Sequence, residues 1–151
     1  MNKDRFDSVV LDASVVAKLL TKEQNSEKAA VLLENLVKQE RAIIEPHFLK
    51  IEIYSLIRKK ISLKDIRLNQ GRKALFLFNQ LAFDYFVESN DLLNISFSLA
   101  KKMGQTVIYD CLYLSLAQAK KAKFITADLK FLKQARKFYS QSFSLSDKIE
   151  F

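Results

Sequence analysis

Short apolar runs of strand length alternate along this chain with longer segments of helical period. That alternation restricts it to a layered α/β fold. The strand-like runs are 8–11, 41–44, 84–87 and 123–126, with a weaker one at 142–145. Between them, helical spacing runs through 14–20, 26–38, 48–60, 63–81, 91–103, 107–121 and 129–138. In 26–38, for example, Ala29, Leu32, Leu33, Leu36 and Val37 recur one turn apart. Ser14 reads as the N-cap of the first helix, and Pro46 sits where the third can begin. Gly104 is a natural residue to follow 91–103, whereas Gly71 inside 63–81 is tolerated rather than helpful. Alternating strands and helices predict a parallel sheet of about five strands, covered by helices on both faces. Such sheets gather their ligands beyond the carboxyl ends of the strands.

A length of 151 residues predicts a single domain spanning 1–151. The scarce residue types exclude whole function classes. One Cys rules out an internal disulfide, two Gly cannot write a phosphate loop or a dinucleotide fingerprint, and one His, His47, rules out a two-histidine ribonuclease. His47 reads as a packing or turn residue after Pro46, and Cys111 as a small buried hydrophobe. Residues 1–7 are polar and the run at 9–11 is too short for a signal peptide. No apolar stretch approaches the roughly 20 residues that span a bilayer. The expectation is a soluble, cytoplasmic protein without membrane partners.

The formal charge is +8, with the excess concentrated in two runs. The first carries Arg58, Lys59, Lys60, Lys64, Arg67, Arg72 and Lys73 against Asp65 alone. The second carries Lys120, Lys121, Lys123, Lys130, Lys133, Arg136 and Lys137 against Asp128 alone. Either run could be a solvated helix face. Beside the acids described next, both point toward a phosphate backbone, and the first is taken as the RNA-binding set.

Four acids stand where acids are unusual. Glu52 is flanked on its helix by Phe48, Leu49 and Leu56, at the edge of the apolar stripe. Pairing with a buried Arg or Lys is the alternative there. Asp110 has Val107, Tyr113 and Leu114 at helical spacing, and also a dull reading as an acid favoured by a helix N-terminus. Asp12 follows the first strand and Asp128 the fourth, where each could simply cap a helix. Together the four can converge on one cleft. Clustered carboxylates raise one another's pKa unless a cation joins them. Ligands that are all oxygen suit Mg²⁺ or Mn²⁺ and not zinc.

At this point the chain resembles a family. The segment Val9-Val10-Leu11-Asp12-Ala13-Ser14-Val15-Val16-Ala17-Lys18-Leu19 looks like the opening motif of PIN-domain nucleases, closest to the VapC-type toxins of prokaryotic toxin–antitoxin pairs. Glu52 in Phe48-Leu49-Lys50-Ile51-Glu52-Ile53, Asp110 in Tyr109-Asp110-Cys111-Leu112-Tyr113-Leu114, and Thr126-Ala127-Asp128 continue the pattern in order. The resemblance implies a PIN-like three-layer sandwich. It implies that Asp12, Glu52, Asp110 and Asp128 bind one or two Mg²⁺ or Mn²⁺ ions, supported by hydrogen bonds from Ser14 and Thr126. It further implies endonucleolytic cleavage of single-stranded RNA such as tRNA or rRNA, a short antitoxin protein that blocks the cleft, and a homodimer.

The expected chemistry is in-line attack of water on phosphorus, leaving a 5′-phosphate and a 3′-hydroxyl. The alternative is a non-catalytic PIN-like module that holds RNA or a protein partner. A phosphotransfer domain is disfavoured: the phosphatase pattern wants a second Asp where Ser14 stands, and a receiver domain gives no reason for Glu52.

Overall fold

In the central strand β1 (Ser8–Leu11), Val9, Val10 and Leu11 are all fully buried, so both faces of the sheet are covered there. The computed structural model describes residues 7–151. After β1 come α1 (Ala13–Leu20), α2 (Ser26–Lys38), β2 (Ala42–Pro46), α3 (Phe48–Ser62), α4 (Leu68–Phe78) and β3 (Asp84–Phe86). Then follow α5 (Asn90–Met103), α6 (Tyr109–Lys120), β4 (Lys123–Thr126), α7 (Leu129–Phe138) and β5 (Ser142–Ser144). All five strands are parallel, in the order β3-β2-β1-β4-β5. The expected α/β sandwich, a five-stranded parallel sheet between helices, is therefore the fold. Among the described residues, no helix is long and apolar enough to cross a membrane.

Helix α6 lies across β1, β2 and β4, and its residues from Cys111 to Ala117 are all buried. A helix apolar all round belongs inside a protein. Its two ends reach the surface, and the first turn carries Asp110. Helix α1 packs against β1 and β4.

Four local expectations are corrected. Ser14 does not cap α1. The Asp12 carbonyl accepts from Val15 N–H at 2.9 Å, so the helix starts at Ala13 with Asp12 at the N-cap position. Pro46 does not open α3. It ends β2, opposite Phe86 in the register with β3, where a missing N–H costs little. His47 then occupies the N-cap position, and the Phe48 N–H is satisfied from a distance by Glu88 Oε1 at 2.7 Å. The single helix expected over 63–81 is only the shorter α4. The chain breaks where Lys64 adopts a left-handed φ of 61°, and Arg67 starts α4 with its N–H bonded to Gln70 Oε1 at 2.7 Å. Finally, Val107 precedes α6 and is 51% exposed, so it is no part of the apolar face around Asp110.

Gly71 is also more than tolerated. A Cβ there would meet Ile61 Cδ1 at 2.5 Å and Ile57 Cγ2 at 3.2 Å. Its absence lets α4 lie close against the end of α3.

Candidate metal centre at the carboxyl edge of the sheet

From β1 the chain moves outward to β2 and β3, then returns across the sheet to place β4 on the other side of β1. The crevice beyond the carboxyl ends of β1 and β4 is thus a switch point of the topology, the usual ligand site of such sheets. Asp12 stands at the end of β1 and is 3% exposed. Its Oδ2 accepts from Ser14 Oγ at 2.7 Å and from Thr126 Oγ1 at 2.8 Å. The same hydroxyls tie down the neighbouring loop: Ala127 N–H donates to Ser14 Oγ at 3.0 Å, and Asp128 N–H to Thr126 Oγ1 at 3.1 Å. Ser14 and Thr126 therefore link the end of β1 to the end of β4 around one carboxylate.

The other three acids come from different elements. Asp128 caps α7, accepting from Phe131 N–H at 2.9 Å through Oδ1, and it is exposed. The capping reading is therefore correct for Asp128, and it does not remove the residue from the cleft. Asp110 lines the cleft opposite, together with Asp128, Gln105, Thr106 and Lys130. Glu52 rises from the second turn of α3, half-buried. Among the described residues no Arg or Lys pairs with it; its partner is the Tyr113 hydroxyl on α6, 2.6 Å from Oε2.

The four acids lie close enough to feel one another's charge. Burial raises Asp12 above the ordinary carboxylate value and the charge of Asp128 adds to that, while Ser14, Thr126 and the Ala13 N–H oppose it. Burial raises Glu52, with Asp12 adding and Tyr113 opposing. Asp110 is pushed up to about 7, first by burial and then by the charges of Asp12, Glu52 and Asp128. No lysine or arginine among the described residues forms an ion pair with any of them. As they lie, no three His, Cys, Asp or Glu side chains among the described residues are close enough to enclose an ion. The donor set, all carboxylate oxygen and lacking basic partners, fits a hard divalent ion such as Mg²⁺ or Mn²⁺.

Two contributors are missed by local sequence patterns. Glu45, in β2, is fully buried and close enough to Asp12 and Glu52 to feel both charges. The apolar run at 41–44 leaves Glu45 outside the expected strand. Yet Ile43-Ile44-Glu45 has the same form as Val10-Leu11-Asp12, an acid closing an apolar run. Tyr113 figures in the sequence only as apolar neighbourhood for Asp110, although its hydroxyl needs a partner when fully buried.

The basic set divides. Arg58, Lys59, Lys64, Arg67, Arg72 and Lys73 are exposed. Lys60 is held 3.0 Å from Glu23 Oε2, and its charge is largely neutralised. In the second run, Lys130 stands in the cleft beside the acids, whereas Arg136 is paired with Asp147 at 2.6 Å. His47 lies edge-on to Tyr85 with ring centroids 5.7 Å apart, and burial pushes the Cys111 thiol up to about 11, away from nucleophilic use.

Comparison with known proteins places this fold among relatives. A family model described as PIN domain matches residues 9–137. No curated protein sequence matches the chain. Among solved structures, a chain of a toxin–antitoxin complex from Klebsiella pneumoniae shares 15% identity with a TM-score of 0.66, over 93% of this chain and 100% of that one. VapBC2 from Rickettsia felis, solved with a DNA fragment from its promoter, shares 18% identity with a TM-score of 0.64, over 90% and 96%. VapC20 from Mycobacterium tuberculosis, described as a toxin that cleaves the sarcin–ricin loop, shares 11% identity with a TM-score of 0.61, over 79% and 87%.

Proposed function

Given that this chain belongs to the PIN domain family, we propose that it is a metal-dependent endoribonuclease, the toxin of a toxin–antitoxin pair. The observation that carries this reading is Asp12. It is a buried carboxylate, braced by two hydroxyls and surrounded by the charges of three other acids, and among the described residues no lysine or arginine forms an ion pair with any of the four. Asp12, Glu52 and Asp110 are the residues assigned to hold a divalent Mg²⁺ or Mn²⁺ ion, with Asp128 contributing directly or through water. When bound, that ion supplies the positive charge that stabilises the phosphate transition state and orients the attacking water.

The protein's own groups supply the rest. Ser14 and Thr126 fix the Asp12 carboxylate, and Tyr113 fixes Glu52, so the site is oriented before substrate arrives. Asp110, raised by burial and by the charges of Asp12, Glu52 and Asp128, is the acid that gains most from a cation placed among them. The substrate assigned is single-stranded RNA, drawn to the cleft by exposed basic residues of α3 and α4 and by Lys130. The solved relatives that carry an antitoxin support a short protein partner for this chain, and a homodimer is assigned with it. Exposed Ile51, Tyr54, Val107 and Tyr109 provide apolar surface close to Glu52 and Asp110 in the sequence.

The deciding experiment is cleavage of a mixed small-RNA pool by purified protein with Mn²⁺, with EDTA, and with Asp12→Asn in parallel. Cutting that requires both metal and Asp12, and leaves 5′-phosphate ends, is expected. Mn²⁺ binding without cutting of any RNA overturns the enzyme in favour of a binding module.

A further inference from the structure

Glu45 has 0% exposure, in a position where the fold does not need an acid. The ladder between β1 and β2 runs through Ser8 opposite Ala42 and Val9 opposite Ile43. Beyond it the Glu45 carboxylate inserts: Oε1 accepts the Leu11 N–H at 2.9 Å. Leu11 immediately precedes Asp12, whose own N–H turns the other way to the Ile125 carbonyl of β4, at 2.9 Å. Glu45 therefore ties β2 to the last residue of β1 before the candidate centre.

The second oxygen, Oε2, is buried with no hydrogen-bond partner among the described residues. The ionisable groups that interact with the carboxyl are Asp12, Glu52, Tyr113 and Tyr85, three of which also build or brace the centre. Burial, and then the charges of Asp12 and Glu52, raise its pKa well above the ordinary value, against the single bond from Leu11. As a purely structural device this is poor. A glutamine would accept the same N–H without bringing a charge out of water beside two other acids. The placement makes sense if a cation is part of the native state.

We propose that Glu45 is a fifth carboxylate of the centre, a positioning residue that sets Asp12 through Leu11 and that, ionised beside a bound cation, supplies negative charge that tightens divalent-ion binding. This inference rests on the reading of the four acids as a divalent-ion site. The residue stands behind the quartet and is not assigned a contact with substrate.

The test is Mn²⁺ binding by isothermal titration calorimetry, with the melting temperature of the metal-free chain, for the native protein, Glu45→Gln, Glu45→Asp and Asp12→Asn. Glu45→Gln preserves the shape and the acceptor for Leu11. It is expected to leave the metal-free melting temperature unchanged or higher, and to weaken Mn²⁺ binding by on the order of tenfold. Glu45→Asp, which keeps the charge on a shorter stem, is expected to retain more of the affinity than Glu45→Gln. Native Mn²⁺ affinity in Glu45→Gln, or failure of that variant to fold, overturns the proposal. Asp12→Asn separates the two readings. If it binds Mn²⁺ as the native chain does, the quartet itself is misread. If it loses binding while Glu45→Gln does not, only the role of Glu45 fails.

Discussion

The Tyr113 hydroxyl donates to Glu52 Oε2 at 2.6 Å, so the buried helix α6 orients an acid carried on α3. Because Tyr113 is fully buried, this is the means by which the core of the protein reaches the candidate centre. Removing the hydroxyl in Tyr113→Phe deletes a bond to a charged acceptor, and is expected to cost about 1.5–3 kcal/mol of stability. Metal-dependent cleavage is expected to fall at the same time, because Glu52 loses its fixed direction. Urea unfolding and cleavage rates on the same preparations check this. A variant unchanged in both measurements would show that the bond is incidental.

Asp110 gives the centre a pH signature. Its folded pKa is about 7, while an exposed aspartate titrates far lower. Between those values the folded state binds more protons than the unfolded state, so stability falls as pH rises through that window. The metal-free protein is therefore expected to melt at lower temperature at pH 7.5 than at pH 5. Asp110→Asn is expected to flatten that dependence, and saturating Mn²⁺ to reverse it by neutralising the acids. Melting curves across pH, with and without Mn²⁺, decide the point. A metal-free melting temperature that rises steadily to pH 7.5 contradicts it.

Thr126 serves two acids with one oxygen, donating to Asp12 Oδ2 at 2.8 Å and accepting Asp128 N–H at 3.1 Å. Thr126→Val keeps the shape and removes both bonds, an expected loss of about 1–3 kcal/mol because buried polar groups are left unpaired. Asp12 also loses one of the bonds that hold its pKa down. The alkaline shift this implies in the pH profile of cleavage, together with denaturant unfolding, is the measurement. An unshifted profile would place the role of Thr126 in folding alone.

Asp12 and Asp128 are legible in the sequence because strands are recognisable as apolar runs, and a parallel sheet presents its ligands at their ends. Glu52 and Asp110 are legible because a carboxylate among apolar neighbours asks for a partner. Pairing across the chain is not legible. Lys60 and Glu23 meet over 37 residues, and Tyr113 and Glu52 over 61. Local spacing contains no trace of either. Ser14 shows the same limit in miniature: a hydroxyl three residues past a strand looks like a cap, but the folded chain gives it to Asp12. Glu45 is hidden by a boundary, since an apolar run that stops at Ile44 makes a buried acid look like a loop residue, whereas β2 continues to Pro46.

Salt should govern RNA binding unequally across the basic residues. Lys59 and Lys73 are exposed, whereas Lys60 is already paired with Glu23. Each phosphate contact on a single strand contributes about −0.7 to the slope of log K against log salt. Lys59→Ala and Lys73→Ala are each expected to flatten the slope by about that amount, and Lys60→Ala by less. Titrations of a catalytically silent Asp12→Asn protein against labelled RNA at several salt concentrations test the ranking. Equal effects at Lys59 and Lys60 would mean that the ion pair with Glu23 opens on binding.

Gly71 tests the packing that carries those basic residues. It is buried on α4, and an added Cβ would stand 2.5 Å from Ile61 Cδ1, 3.1 Å from Ile61 Cγ1 and 3.2 Å from Ile57 Cγ2. The nearest atom is the tip of a side chain that can swing away, while Ile57 is itself buried and has less room to move. In an open helix, Gly→Ala stabilises by up to about 1 kcal/mol. Here overpacking, typically about 1–3 kcal/mol, opposes that gain, and Gly71→Ala is expected to be net destabilising. A second change, Ile61→Val, removes the atom that clashes. It is expected to recover part of the loss in the double variant, a coupling that two independent sites would not show. Denaturant midpoints for the two single variants and the double variant measure it. Strict additivity, or a Gly71→Ala protein more stable than the native one, would show that α3 and α4 have slack between them.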